Sequence, residues 1–223
     1  MDVTALVEEI EQRVARMPAP NTAAVRAVRR EYVRSTKELA DKDVLKACAA
    51  LIARRRVPRF LADEWLAARA DAFGLLTGKQ VERLGEGMSS WDQVDCFACI
   101  LSGRAWKEGL IGDAAVVKWA KSRDRWWRRA ALVSTVPLNL KARGGEGDAR
   151  RTLAICRLLL DDRDEMVVKA LSWALRVLAM RDADSVRQFL AENGDRMAAL
   201  VRREVRNKLE TGLKTPRASK SAR

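Results

Sequence analysis

Two tryptophans, one carboxylate and several cations fall at equivalent places in three segments of this chain. Ser90, Asp124 and Asp164 are each of a residue type that caps a helix, and a run with helical apolar spacing follows each. These caps lie 34 and 40 residues apart, within the range of helical repeats. Counting forward, the first position holds Trp91, Arg125 and Glu165, the fifth Asp95, Arg129 and Lys169, and the ninth Cys99, Val133 and Trp173. Positions spaced i, i+4, i+8 share one helix face. In a stacked array, equivalent faces line one surface, so Trp91, Asp95, Arg129, Lys169 and Trp173 are expected together. A core face does not collect Asp, Arg and Lys at one equivalent position, because unpaired burial of charge is costly. A carboxylate can stabilise a developing positive charge, indole faces attract cations, and arginine grips phosphate. The plainer alternative is an Asp95–Arg129 salt bridge flanked by half-buried tryptophans, and spacing alone leaves both open.

The elements that must position these residues are helices. Only five prolines occur in 223 residues, and apolar spacing is helical nearly throughout, with no convincing strand alternation. The pattern predicts helices over 2–16, 22–39, 42–56, 59–75, 78–87, 91–102, 113–121, 125–141, 147–160, 165–180, 183–192 and 196–211. Asn21 is placed to cap the second. Gly144, Gly145 and Gly147 read as a flexible turn, and Asn193-Gly194 as a helix end with a left-handed glycine. The core candidates are Val94, Phe97, Ala98, Ile100 and Leu101, then Ala130, Leu132 and Val136, then Val167, Val168, Leu171 and Leu175. A dozen short helices with short turns predicts an all-α fold, an α-solenoid of stacked helical repeats with one concave basic surface. Residues 1–211 are expected to form a single domain. Residues 212–223 carry Lys214, Arg217, Lys220 and Arg223 without an acid and read as a disordered basic tail.

Composition narrows the chemistry. Apolar residues make up 48% and charged residues 33%, as in a globular chain with a very polar surface. The 43 basic and 30 acidic residues give a net charge of +13, which suits a polyanion. Residues 114–143 alone hold eight cations and one acid, among them Lys118, Arg125, Arg128 and Arg129. Histidine is absent, which excludes a Ser-His-Asp triad, a histidine general base and imidazole zinc sites. Cys96 and Cys99 spell CxxC but fall inside a helix, without a second such pair. All four cysteines read as reduced thiols, so neither metal nor cofactor is expected. No apolar run approaches the roughly 20 residues of a membrane span. The acidic, amphipathic N-terminus does not resemble a signal peptide, and a cytoplasmic, DNA-associated monomer is expected.

Three strings carry a resemblance. Ser90-Trp91-Asp92-Gln93-Val94-Asp95, Arg125-Trp126-Trp127-Arg128-Arg129-Ala130-Ala131-Leu132 and Lys169-Ala170-Leu171-Ser172-Trp173-Ala174-Leu175-Arg176 are together similar to the AlkD-like DNA alkylation-repair glycosylases, all-helical proteins of HEAT-like repeats. The likeness runs over roughly residues 22–211. It implies that Asp95 is the catalytic carboxylate, that Trp91 and Trp173 hold the lesion-bearing deoxyribose, and that Arg129 is a cation at the DNA backbone. It implies duplex DNA carrying alkylated purines as the partner, and a lesion reached without a deep base pocket. Arg125, Arg128, Lys169 and Lys118 are further candidates for DNA contact. Aromatic residues common in the family's N-terminal helices are sparse, with Tyr32 and Trp65 the main ones here.

The chemistry agrees with the residue types. A purine alkylated at N3 or N7 is positively charged and leaves readily, so no strong general acid is required. The oxocarbenium-like sugar left behind is the species a carboxylate can stabilise. Two rival readings stand beside this one: a non-catalytic helical scaffold or structure-specific DNA binder, and a helix-hairpin-helix glycosylase hinted at by Leu84-Gly85-Glu86-Gly87. The scaffold has no need for Trp91, Asp95, Arg129 and Trp173 together. The hairpin lacks a suitably placed lysine and aspartate.

Overall fold

A computed structural model describes residues 2–216, and every regular element among them is helical. Part of the expected basic tail, residues 217–223, lies outside the described residues. The chain divides into two compact units, Met1–Ile111 and Gly112–Arg223. The first contains α1 (Val3–Ala15), α2 (Thr22–Ser35), α3 (Asp41–Arg54), α4 (Arg59–Ala68), α5 (Ala70–Gly74), α6 (Gly78–Gly85), α7 (Trp91–Cys96), a π-helical segment (Phe97–Ser102) and α8 (Gly103–Lys107). The second contains α9 (Asp113–Ala120), α10 (Arg125–Val133), α11 (Val136–Asn139), α12 (Ala149–Leu158), α13 (Glu165–Leu178), α14 (Ala183–Asn193) and α15 (Ala199–Thr211). Helices pack on near neighbours in chain order: α1 on α3, α2 on α4, α9 on α12, α10 on α13 and α13 on α15. This is the repeat-like stack of an α-solenoid.

Local chemistry sets the helix ends. The side chains of Asn21, Asp124 and Asp164 accept hydrogen bonds from the backbone N–H groups of Ala24, Trp126 and Met166 at 3.0, 2.8 and 2.9 Å. Each satisfies a donor that its helix leaves open. Every core candidate named above is buried. Trp65 (0% exposed) and Tyr32 (6%) also belong to the core of the first unit, so neither offers a surface to a ligand.

Several expected helices are interrupted. The run 59–75 breaks at Arg69, whose backbone is extended. Its guanidinium donates to the Thr36 and Leu39 carbonyls at 2.8 and 3.0 Å and to Asp41 at 2.9 Å, closing the loop after α2. The run 125–141 stops at Val133. There the Ser134 and Thr135 hydroxyls turn back onto the carbonyls of Ala130 and Leu132 at 2.6 and 2.7 Å, and Pro137 brings no N–H. Gly194 has an ordinary helical φ of −57° and opens a 3₁₀ turn, Gly194–Arg196. The left-handed cap is instead Gly212 at φ 73°, after α15. The 144–147 segment is a closed turn: the Gly145 and Gly147 N–H groups donate to the carbonyls of Leu140 and Leu138. Arg181 clamps it by donating to the carbonyls of Asn139 and Gly145 at 3.0 and 2.9 Å.

Candidate functional site

The site residues fall in both units, and each unit has its own supports. In the first, Trp91 and Asp95 lie one turn apart on α7, on one face. Trp91 is 57% exposed and Asp95 half-buried. Ser90 has the extended backbone of a cap, but its side chain makes no capping bond. The Gln93 side chain instead reaches back and accepts from the Ser89 N–H at 3.0 Å, tying the first turn to the residue before the cap.

Immediately after Asp95 the helix widens. The Gly103 N–H reaches the Ala98 carbonyl, five residues back, and Phe97–Ser102 runs as a π-helix. Such insertions recur at functional sites. Here the extra residue per turn takes Cys99 off the regular register that spacing from Trp91 assumes. The start of the widened segment is fixed from below: the Arg59 guanidinium sits 5.3 Å from the centre of the Phe97 ring, donates to the Leu84 carbonyl, and binds Asp63 at 2.9 Å. Asp63 is fully buried, and its Oδ1 has no hydrogen-bond partner. Burial, opposed by Arg59, pushes its carboxyl up to about 6. Sequence reading missed this pair. Its signal was an Arg–Asp spacing of four between Leu61, Ala62, Trp65 and Leu66, an acid on an apolar face.

All four cysteines keep their thiols. Burial, with help from Asp63, pushes Cys96 up to about 12, so its thiol stays protonated at neutral pH. Among the described residues no group of His, Cys, Asp or Glu is arranged to hold a metal ion.

In the second unit the candidate cations divide by burial. Arg125 is exposed, stacks 4.7 Å from the Trp126 ring and reaches Asp164 at 3.4 Å. Lys118 and Lys169 are exposed, and Lys169 pairs with Glu165 on its own helix. Arg128 is a buckle: Nε meets Asp162 at 2.6 Å and Nη1 donates to the carbonyls of Ser122 and Arg123. Arg129 is 5% exposed and donates to the Met166 carbonyl at 2.6 Å, joining α10 to the first turn of α13. Trp173 is half-buried on α13, two turns after that contact. Trp127 packs against the buried Trp119 ring, centroids 5.2 Å apart.

An all-helical repeat stack with an exposed indole beside a carboxylate, and a cation-rich pair of helices, defines a class of helical-repeat protein suited to a polyanionic partner. The particular family follows from the sequence as a whole. Residues 16–209 match the model of the DNA alkylation repair enzymes, and the chain belongs to that family. This places it in the repair of alkylated DNA. No protein of curated function matches the chain significantly. Among the described residues no helix is long and apolar enough to cross a membrane.

Proposed function

We propose that this protein is a monofunctional DNA glycosylase that hydrolyses the N-glycosidic bond of N3- and N7-alkylated purines in duplex DNA. The observation that carries the reading is α7: an indole 57% exposed, with a half-buried carboxylate one turn on, in a chain of this family. In this reading Trp91 and Trp173 hold the lesion-bearing sugar by their faces. Asp95 stabilises the oxocarbenium-like sugar as the cationic base departs and orients the water that attacks it. The water's oxygen bonds to the anomeric carbon, its proton passes to Asp95 or solvent, and the base takes the bonding electron pair. Arg125, Lys118 and Lys169 present exposed charge to phosphates. Arg128 and Arg129 hold α10 in place and add their charge to the same field.

The test is release of free base from a duplex carrying one N7-methylguanine. The Asp95→Asn variant should release base about 10²-fold or more slowly, as when a charge-stabilising group is lost, while binding the duplex as wild type does. Excision at the wild-type rate by this variant would remove Asp95 from the mechanism. A wild-type protein that binds the duplex and releases no base would make the scaffold reading the right one.

A further inference from the structure

Trp173 stands beside a polar network that the proposed chemistry does not use. Ser172, just before it, is fully buried and donates its hydroxyl to Glu204 of α15 at 2.6 Å. Arg176, three residues on, donates to the Ser172 hydroxyl at 3.1 Å and lies 3.6 Å from the same Glu204 carboxylate. Glu204 is itself 7% exposed. Its other oxygen meets the Lys214 ammonium at 3.3 Å, beyond the end of α15. The chain there is folded back, because Asn207 donates to the Lys214 carbonyl at 3.1 Å and Lys208 to that of Gly212 at 2.7 Å.

We infer that Glu204 is a positioning residue for Trp173, and that Lys214, at the start of the C-terminal extension, completes the clamp. The inference rests on the reading of Trp173 given above. At about 100° per residue, Ser172 and Arg176 lie on the same side of α13, within roughly 100° of the tryptophan. A buried carboxylate gripping both therefore fixes the rotation of α13 about its own axis. A rotation of about 20° would carry the tip of an indole about 2 Å, more than the 1 Å misplacement that can cost a hundredfold in rate. Burial lowers the Arg176 pKa, and the nearby Glu204 carboxylate opposes this. Apolar packing of α13 on α15 would hold the two helices together without such a group. The charges set the angle.

The experiment is a double-mutant cycle on single-turnover excision of N7-methylguanine from duplex DNA, with thermal melting and duplex affinity read in parallel. Glu204→Gln should slow excision about tenfold with duplex affinity unchanged. Combined with Trp173→Ala it should excise no more slowly than Trp173→Ala alone, while the two losses of melting temperature add. A structural role would lower melting temperature without that coupling in rate. Lys214→Ala, which removes a half-exposed arm, should slow excision about threefold, and it carries the cycle with Trp173→Ala if Glu204→Gln fails to fold. Slow excision by Trp173→Ala beside wild-type excision by the clamp variants, or rates that multiply in the double variant, would overturn the inference alone. Wild-type excision by Trp173→Ala would overturn the role of Trp173 itself, and the inference with it.

Discussion

Burial decides which aspartate can do which work in this molecule. Asp95 is half-buried on α7, where a carboxylate keeps part of its hydration, as the role proposed for it requires. Asp63, on α4 in the same unit, is fully enclosed and serves Arg59. Arg59 draws its carboxyl toward the ionised form, Glu64 opposes ionisation, and the thiols of Cys48 and Cys96 lie within its field. The net result is a carboxyl raised from an ordinary value of 3.8 to about 6. The folded protein therefore holds a proton there that the unfolded chain has released. Stability from this group is fully present below about pH 4 and is lost as pH rises through about 6. Melting temperatures of wild type and Asp63→Asn, followed from pH 4.5 to 8, should diverge: the asparagine variant gains on wild type by a few degrees as pH rises. Parallel profiles would show that the buried carboxyl titrates normally. The tryptophans obey the same rule of burial: Trp65 and Trp106 are at most 2% exposed and fill the core of the first unit, whereas Trp91, in the same unit, lies at its surface.

At the scale of elements, the turn between α11 and α12 shows what spacing alone cannot reveal. Three glycines in four residues read as a loose connection. In the fold a Cβ on Gly145 would lie 2.4 Å from the Pro137 carbonyl oxygen and 2.7 Å from Leu138 and Leu140 backbone atoms. These are backbone neighbours that cannot step aside, so glycine is there for close approach. Gly145→Ala should cost about 2 kcal/mol or more, as overpacking does, lowering the melting temperature by about 5 °C. A melting curve unchanged from wild type would mean that the turn is as loose as its composition suggests. The helices themselves, their caps at Asn21, Asp124 and Asp164, and the core runs from Val94 to Leu101 and on α10 and α13 were legible because apolar spacing and cap chemistry are local. What escaped was set by tertiary partners. The helix breaks at Arg69, which reaches two carbonyls of the loop after α2 and the Asp41 carboxylate at the start of α3, the π-segment shifts register after Asp95, and Glu204 meets Ser172 across 32 residues of chain. No local pattern records such pairings. The string from Arg125 to Leu132 likewise held Arg125, Arg128 and Arg129 without separating the exposed cation from the two that fasten α10.

At the scale of the whole molecule, a net charge of +13 sets a long-range attraction for DNA, and burial apportions it. Of the eight cations between residues 114 and 143, Lys118, Lys121, Arg123, Arg125, Lys141 and Arg143 are exposed, while Arg128 and Arg129 are partly or fully enclosed. Affinity for duplex DNA should fall linearly with salt on a log–log plot, by about 0.9 per phosphate neutralised, so this segment contributes a slope no steeper than about −5. Arg125→Gln should flatten the slope by about one unit and leave the melting temperature nearly unchanged. Arg128→Gln should instead lower the melting temperature, because it strips Asp162 and two carbonyls of their donor, and change the slope little. Residues 217–223 add Arg217, Lys220 and Arg223 beyond the Lys214 contact. Removing those seven residues should weaken binding to damaged and undamaged duplexes alike and flatten the slope by up to about three units. Excision at saturating protein should be unchanged, because Lys214 remains on Glu204. A shortened protein that still binds tightly but excises slowly would show that these last cations act on the lesion and not on the backbone at large, and the division between a fixed site and a diffuse field would have to be abandoned.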